Sequence, residues 1–294
     1  MEPQKLPGKR TLISYENAEE QQLAKAVADT LYRYDHFPEV RAAKLNEVTD
    51  EHVRLFWQQG YLVVDEVLNA EEVRTAIAAV MDAVHGKTAG VKVQFVKSEA
   101  RLKTDDEREL AVRKIYDFIQ HDARLNAVAH HQGTLDLIAR LFAGEKAVVV
   151  QDQALLKPPS GGAEKPWHQD MAYGALAYDR SVIGMWTALD PAGLDNGCMH
   201  VIPYSHRQGA VPHYAERDWQ LCDSSVDVER DVAVPLKPGG ALFFSGLLHH
   251  GTPPNFSDKR RRALQIHYAP ESARKLTPQE YKRMFTNELT NAEC

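Results

Sequence analysis

The first half of the chain has the hydrophobic spacing of amphipathic helices. Apolar side chains recur every three or four residues in several polar stretches. Asn69 and Glu72 can form a capping box before one of these stretches, and Thr49 can cap another. A separate apolar run, YLVVDEVL, favours a strand. The predicted helices cover 17–34, 49–60, 69–84 and one continuous helix over 121–143.

The pattern changes from Ala147 onward, where short β-rich runs follow one another. Clusters of Gly, Pro, Asn and Asp separate them, as is typical of a sandwich or barrel rather than of βαβ units. We therefore predict a mainly β protein with supporting helices, in which an N-terminal helical layer flanks a jelly-roll core. The runs are AVVVQDQALL, VIGMWTAL, MHVIP, VAVPL, GALFFSGLL and RALQIHYA.

These patterns suggest one main domain with two short flanking segments. Residues 1–48 are polar and mixed, and we expect them to form a peripheral extension. Residues 49–275 hold the helices and strands of a single domain. Residues 276–294 are expected to form a C-terminal helix or tail.

Composition narrows the class of protein. The chain has 294 residues, 44% of them hydrophobic, and a net charge of −6, so no long basic face for nucleic acid is expected. No run of 18 apolar residues exists to span a membrane. Cys198, Cys222 and Cys294 are odd in number and widely spaced, so we expect no disulfide framework. MEPQKLPGKR has no apolar leader, so we expect a cytoplasmic protein. We expect its partner to be a small-molecule substrate, and its oligomeric state is unknown.

A possible metal site lies in the segment KPWHQD. His168 and Asp170 are two residues apart, so on an extended segment both side chains point to the same face. A third ligand is available in LFFSGLLHHGT, at His249 or His250. Two imidazoles and one carboxylate form the facial set that holds Fe(II) and leaves positions open. Taken alone, a histidine near a strand end is more often an ordinary surface or capped side chain than a ligand.

A second feature is the alternation in SDKRRRALQIHYAP. Leu264, Ile266 and Tyr268 form an apolar face, and the residues between them form a polar one. An inward-facing arginine on that polar face needs an anionic partner, and its planar fork suits a bound dicarboxylate. A solvent-facing basic strand is the alternative. The polar face consists of Arg261, Ala263, Gln265 and His267.

Four segments together resemble the phytanoyl-CoA dioxygenase family of Fe(II)/2-oxoglutarate oxygenases. They are GYLVVDEVLNAEEV, LLKPPSGG with WHQD, MWTALDPAGLDNGCMHVIPYSH, and GALFFSGLLHHGTPPNFSDKRRRAL, and the resemblance runs from about Thr49 to Pro270. It implies a double-stranded β-helix (cupin-like) core. It also implies Fe(II), 2-oxoglutarate and O2 as cofactor and cosubstrates, and hydroxylation of an aliphatic C–H with release of succinate and CO2.

The resemblance also implies roles for individual residues. His168, Asp170 and His250 match the iron ligands, with His250 preferred over His249 because the family's His-Gly-Ser/Thr step falls on His250. The remaining matches concern 2-oxoglutarate: Arg261 and Thr252 for its distal carboxylate, Trp186 for its pocket, and Lys114 and Gln153 as further contacts.

Three other functions remain possible. A halogenase of related fold would have Ala or Gly where this chain has Asp170. A zinc hydrolase could use the same ligands but would not explain the Arg261–Thr252 pair, and a non-catalytic jelly-roll protein would need no complete triad.

Tyr204 departs from the family's IPGSH and leaves the shape of that turn open. The poorly patterned segments 87–106 and 211–231 are expected to be substrate loops.

Overall fold

The computed structural model describes residues 18–289 and 293–294. Over these residues the α-helices are α1 (Ala18–Leu31), α2 (Asp50–Gln59), α3 (Ala70–Val84), α4 (Asp105–Ala111), α5 (Ala123–Ala129), α6 (Gln132–Leu141) and α7 (Pro278–Phe285). The strands are β1 (Arg41–Lys44), β2 (Tyr61–Glu66), β3 (Lys92–Phe95), β4 (Val112–Tyr116), β5 (Ala147–Lys157), β6 (Lys165–His168), β7 (Ile183–Ala188), β8 (Met199–Val201), β9 (Tyr214–Ala215), β10 (Trp219–Gln220), β11 (Val232–Val234), β12 (Ala241–Ser245), β13 (His250–Thr252) and β14 (Arg261–Pro270).

Two sheets form the core of the fold. The larger has eight strands in the order β1-β2-β12-β7-β14-β5-β4-β3, and the smaller has four in the order β11-β8-β13-β6. Neighbouring strands are antiparallel except β1 and β2, which are parallel and make the large sheet mixed. All six β-rich runs of the sequence form strands, so the predicted mainly β fold with flanking helices is confirmed.

Apolar side chains fill two layers on either side of the large sheet. Leu264, Ile266 and Tyr268 face the helical side, where they pack with residues of α3, α5 and α6. Trp186 and Phe244 face the smaller sheet and pack with its residues. The predicted alternation along β14 is therefore correct, and its polar face lies on the side of the smaller sheet.

Most of the predicted helix signals hold. Thr49 with His52 and Asn69 with Glu72 form capping boxes at the starts of α2 and α3. The expected continuous helix over 121–143 is wrong, because the chain breaks between α5 and α6 at His130 and His131. The His131 side chain accepts from the backbone N–H of Thr134 and so begins a second helix.

The described part of the N-terminal extension packs against the strand that carries the metal motif. Tyr32 stacks on Trp167 with ring centroids 5.2 Å apart, and Trp167 Nε1 donates to the Leu31 carbonyl at 2.9 Å. β1 of the same segment adds an edge strand to the large sheet. Residues 18–48 thus contribute a packed helix and an edge strand, while the proposed domain boundary at residue 48 stays a prediction. Residues 1–17 lie outside the described part.

The cysteines depart from expectation. Cys222 and Cys294 form a disulfide across 72 residues, with Cα atoms 5.3 Å apart, and Cys198 is free and buried. The expectation of no disulfide is therefore wrong for this pair, since proximity in the fold cannot be read from spacing. The disulfide joins the C-terminal segment to the segment 211–231. Residues 290–292, which precede Cys294 closely, lie outside the described residues.

The two segments expected to be substrate loops carry regular structure. Residues 87–106 contain β3, and residues 211–231 contain the short hairpin of β9 and β10.

Among the residues that the structure describes, no helix combines the length and apolar character required to cross a membrane.

Candidate metal centre and cosubstrate pocket

Three predicted ligands meet at one end of the smaller sheet. His168 is the last residue of β6, and His250 is the first residue of β13 and lies directly opposite it in the antiparallel register. Asp170 follows β6 by one extended residue, Gln169, and begins a 3-10 turn. All three are buried, and one potential ligand atom from each lies within 4.8 Å of the other two. The three residues are thus placed as a common coordination site.

The two histidines present the same nitrogen to this centre. His168 Nδ1 lies 2.8 Å from the Pro166 carbonyl, and His250 Nδ1 lies 2.9 Å from the Leu248 carbonyl. A carbonyl accepts only from N–H, so each Nδ1 carries the proton and each Nε2 keeps its lone pair for a metal. Burial, with the neighbouring His250 adding to the effect, lowers the pKa of His168 to about 4. His168 is therefore neutral at physiological pH, as a ligand must be.

The two oxygens of Asp170 have different surroundings. Oδ1 lies 3.4 Å from His168 Nε2 and 3.5 Å from His250 Nε2. Oδ2 accepts hydrogen bonds from Gln265 Nε2 at 2.8 Å and His267 Nε2 at 2.7 Å. Burial alone would raise the pKa of Asp170, but His250 and His267 hold it well below the usual value. Asp170 is thus a carboxylate. The sequence placed Gln265 and His267 on the inward face without indicating this contact.

A buried positive charge without an ionic partner lies in the same cavity. Arg261 is 2% exposed, and its one recorded hydrogen bond among the described residues is a 3.4 Å contact from Nη1 to the Leu155 carbonyl. Its Nε has no partner there, and neither does the buried hydroxyl of Thr252. Burial lowers the pKa of Arg261 to about 10. A guanidinium and a hydroxyl left unpaired at one cavity wall are complementary to an anion.

One cavity of about 400 Å³ connects the two ends of the site. The three ligands, Thr252 and Arg261 all line it, together with Lys114 and Gln153. Lys114 is half-buried, and burial lowers its pKa, with Arg113 and Lys165 adding to the effect. Gln153 donates to Gln151 at 2.7 Å. Apolar side chains complete the wall: Val96, Val112, Leu155, Leu156, Leu176 and Met199.

Trp186 differs from its predicted position. It does not line the cavity but lies behind Arg261 in the apolar layer between the sheets, with its ring centroid 5.2 Å from the guanidinium carbon. Trp186 is on β7 beside β14, and its side chain points into that layer. Its contact with the pocket is therefore indirect, through a cation–π contact with Arg261.

The adjacent histidines are distinguished by the strand. His250 lines the cavity, whereas His249 is buried outside it, and the backbone N–H of His249 donates to Ser205 Oγ at 2.8 Å. Ser205 belongs to the IPYSH turn, whose Tyr204 has φ of 69°. Tyr204 therefore adopts the left-handed backbone conformation that glycine prefers. Its ring is partly exposed, and the guanidinium groups of Arg207 and Arg230 lie over it. The hydrogen bond from His249 to Ser205 ties this turn to the start of β13.

One further histidine supports the metal motif from outside. His213 Nδ1 lies 2.9 Å from the Val211 carbonyl, and its Nε2 accepts the backbone N–H of Gln169 at 2.9 Å. It therefore fixes the residue between the two ligands. His200 pairs instead with Asp231 at 2.8 Å, and neither of these histidines nor His206 lines the cavity. Sequence spacing gave no signal for the role of His213.

The donor set fits a divalent first-row metal. Two neutral imidazole nitrogens and one carboxylate on one side of a centre leave the opposite positions open, as in non-haem Fe(II) oxygenases. The fixed Nδ1 protons and the hydrogen-bonded carboxylate supply the outer contacts that such ligands use. The site is thus suited to iron, with room in the same cavity for an anionic molecule that reaches Arg261.

A jelly-roll core with this facial triad and a buried arginine defines the class of Fe(II)- and 2-oxoglutarate-dependent oxygenases. The phytanoyl-CoA dioxygenase family model matches residues 56–263, which is more than half of the chain. The chain therefore belongs to the phytanoyl-CoA dioxygenase family.

Individual relatives agree with this membership. The probable phytanoyl-CoA dioxygenase of Caenorhabditis elegans is 25% identical over 235 residues, which cover 74% of either chain. EvdO2 from Micromonospora carbonacea var. aurantiaca, solved with 2-oxoglutarate, has a TM-score of 0.62 at 23% identity and covers 80% of this chain and 96% of its own. SnoK, a non-haem α-ketoglutarate-dependent carbocyclase from nogalamycin biosynthesis, has a TM-score of 0.60 at 24% identity, covering 80% and 88%.

The predictions of family, fold class, enzyme class and cofactors are thus confirmed. The protein is an Fe(II)/2-oxoglutarate-dependent dioxygenase by family, with a His-Asp-His triad in the expected place.

Proposed function

We propose that the protein hydroxylates an aliphatic C–H of a small organic molecule. Overall, one O2 and one 2-oxoglutarate are consumed, one oxygen atom enters the substrate, and succinate and CO2 are released. His168, Asp170 and His250 would hold the iron, which with bound 2-oxoglutarate supplies the oxidising chemistry. The other residues bind, orient and enclose the reactants.

The observation that carries this proposal is the unpaired Arg261. A buried guanidinium without a carboxylate among the described residues is costly unless a ligand supplies the negative charge. Its planar fork can hold a carboxylate in bidentate fashion, and the free hydroxyl of Thr252 can donate to the same group. We assign to these two residues the distal carboxylate of 2-oxoglutarate, whose other end reaches the metal.

The neighbouring residues have supporting roles in this proposal. Trp186 keeps Arg261 in place from behind through its ring face. Lys114 and Gln153 line the cavity on strands β4 and β5 and can contact the cosubstrate. Lys157 is buried beside this end, and its Nζ donates to the carbonyls of Thr252, at 3.2 Å, and of Pro253. It thereby ties the segment after β13 to β5.

The cavity also suits a small organic substrate. Its volume of about 400 Å³ is in the range of small-molecule sites, and its wall combines aliphatic side chains with amides and cations. The apolar part can position one C–H near the metal while it excludes water. We keep the cytoplasm as the proposed location. In that reducing compartment Cys222 and Cys294 would be kept as two thiols, and the disulfide between them would form only under oxidising conditions.

Three rival functions are weaker on the same observations. A halogenase needs a vacant position where Asp170 supplies a ligand oxygen. A zinc hydrolase could use the triad, yet it leaves the buried charge of Arg261 unexplained. A non-catalytic jelly-roll binding protein would have no need of the complete triad.

The test is oxygen-dependent turnover of 2-oxoglutarate by the iron-loaded protein. Succinate formation is measured under air with a panel of small organic molecules, and products are analysed for one added oxygen atom. His168→Ala and Asp170→Ala should bind Fe(II) far more weakly in anaerobic titration and should form no succinate. Unchanged Fe(II) binding in both variants would refute the metal assignment. Products that lack the added oxygen would refute hydroxylation as the outcome.

A further inference from the structure

The two oxygens of Asp170 contact different groups, and the groups around Oδ2 come from strand β14. Oδ1 faces the two ligand imidazoles, while Oδ2 faces Gln265 and His267. We propose that Gln265 and His267 are positioning residues that hold Oδ2 of Asp170, so that only Oδ1 is available to the metal. This inference rests on the proposed function, since it requires a metal at the triad.

The strand delivers these two donors with little freedom. Gln265 and His267 are two residues apart on β14 and therefore share its inward face. β14 is hydrogen-bonded on both sides, to β5 and to β7. The next residue, Tyr268, is buried in the helical-side core and donates to the Ala129 carbonyl at 2.9 Å. The register with β5 shifts between His267 and Tyr268, and such an irregularity re-aims a side chain.

The chemistry of a carboxylate ligand explains why such a clamp matters. A free carboxylate can bind a metal through one oxygen or through both, and the second mode occupies a further coordination position. Two donors at 2.7 and 2.8 Å engage Oδ2 and oppose that mode. The open positions of the site then stay available for the cosubstrate and O2. The clamp also fixes the direction of Oδ1 relative to the two imidazoles.

The contacts of His267 argue against a purely structural role. Its side chain is 1% exposed and its Nδ1 has no partner among the described residues. Among those residues, its contacts are therefore made through Nε2, which donates to Asp170 Oδ2 and lies 3.2 Å from Gln265 Nε2. A buried imidazole that leaves one nitrogen unpaired gains little stability. The gain is in the orientation of Asp170.

The position of the donating nitrogen gives a sharp pair of variants. Glutamine places its amide nitrogen about where histidine has Nε2, whereas asparagine places it about where histidine has Nδ1. His267→Gln should therefore keep the bond to Oδ2, and His267→Asn should lose it. Gln265→Asn shortens the other donor without touching His267. Gln151→Ala is the matched control, because Gln151 lines the same cavity opposite His267 but has no recorded contact with Asp170.

The experiment measures Mn(II) affinity of the full chain by calorimetry, with thermal unfolding of the metal-free form to confirm folding. Loss of an outer contact to a ligand commonly weakens metal binding about ten- to a hundredfold. We expect this loss for His267→Asn and for Gln265→Asn, and near-normal affinity for His267→Gln and Gln151→Ala. The visible absorption of the anaerobic Fe(II)–2-oxoglutarate complex should change in the first pair and not in the second.

The outcomes separate this inference from the proposed function. Normal Mn(II) binding by the unaltered chain with equal affinity in all four variants would overturn the clamp and leave the metal site intact. Equal losses in His267→Gln and His267→Asn would also overturn it, since the donor position would then be irrelevant. Failure of the unaltered chain to bind Mn(II) would overturn the proposed function and the clamp together. If His267→Asn does not fold, Gln265→Asn decides between these results.

Discussion

Arg261 offers the most direct test, because the same unpaired charge should affect binding and stability in opposite directions. The proposed perturbation is Arg261→Met, which removes the charge and keeps much of the length, with Arg261→Lys as the variant that keeps a charge. Arg260→Met and Arg262→Met are the controls. Arg260 pairs with Glu109, and Arg262 makes a bidentate pair with Asp190 at 2.7 and 2.8 Å. Both controls thus remove an arginine that is already partnered.

The expected loss of 2-oxoglutarate affinity follows from the hydrogen bonds that the guanidinium would make. Bonds to charged groups contribute about 1.5–3 kcal/mol, which is about ten- to a hundredfold in affinity. Arg261→Lys should recover only part of this, because an ammonium does not reproduce the planar fork. Arg260→Met and Arg262→Met should bind 2-oxoglutarate almost normally.

The expected effect on the ligand-free protein has the opposite sign. Burial lowers the pKa of Arg261 to about 10 from an ordinary value above 12. At ~1.36 kcal/mol per pKa unit, holding this charge in the empty pocket costs roughly 3 kcal/mol. Arg261→Met removes that cost, so the metal-free, cosubstrate-free variant should unfold at the same temperature as the unaltered chain or higher. Arg262→Met should unfold lower, because it leaves Asp190 without its partner.

The assay is thermal unfolding of each variant with and without Mn(II) and 2-oxoglutarate, together with anaerobic titration of 2-oxoglutarate. The unaltered chain should gain stability from 2-oxoglutarate by mass action, and Arg261→Met should gain little. Similar, modest losses of affinity at positions 260, 261 and 262 would refute the reasoning and indicate a diffuse basic patch. A large destabilisation of ligand-free Arg261→Met would refute the cost assigned to the buried charge.

Two further predictions concern other parts of the site and the fold. His250→Ala should abolish Mn(II) binding in calorimetry, whereas His249→Ala should keep it, because only His250 lines the cavity; the reverse pattern would show that the ligand is misassigned. Reduction of Cys222–Cys294, or Cys222→Ser, should lower the stability of the oxidised protein by about 4 kcal/mol for a loop of 72 residues on the chain-entropy account. Denaturant unfolding with and without reductant measures this, and non-reducing peptide mapping that finds both thiols free would contradict the pairing.

Features with a local period could be predicted from the sequence. The alternation in RRRALQIHYA placed Arg261, Gln265 and His267 on one face, and the structure has all three on the cavity wall. The capping boxes at Thr49 and Asn69 were visible as residue types at fixed spacing. His168 and Asp170 share a face because the single residue between them is extended. In each case the spacing itself determines the direction of the side chains.

Features that depend on distant parts of the chain could not be predicted in this way. The bond from His267 to Asp170 joins residues 97 positions apart, and the disulfide joins residues 72 apart. The support of Gln169 by His213 depends on where the segment 211–231 crosses β6. Trp186 was assigned to the pocket, but its position behind Arg261 is decided by which layer its strand faces. Local pattern fixes the face of a strand, whereas tertiary packing selects the partner.

β14 connects the two ends of the proposed site. Arg261 lies at its first position, and Gln265 and His267 follow at the fourth and sixth residues beyond. The proposed cosubstrate contact and the proposed aspartate clamp thus lie on the same inward face of a single strand and line one cavity. Pairing on both sides prevents the strand from slipping, and a slip of one residue would turn all three side chains into the helical-side core. The separation between the buried positive charge and the metal centre is therefore set by backbone register rather than by flexible loops.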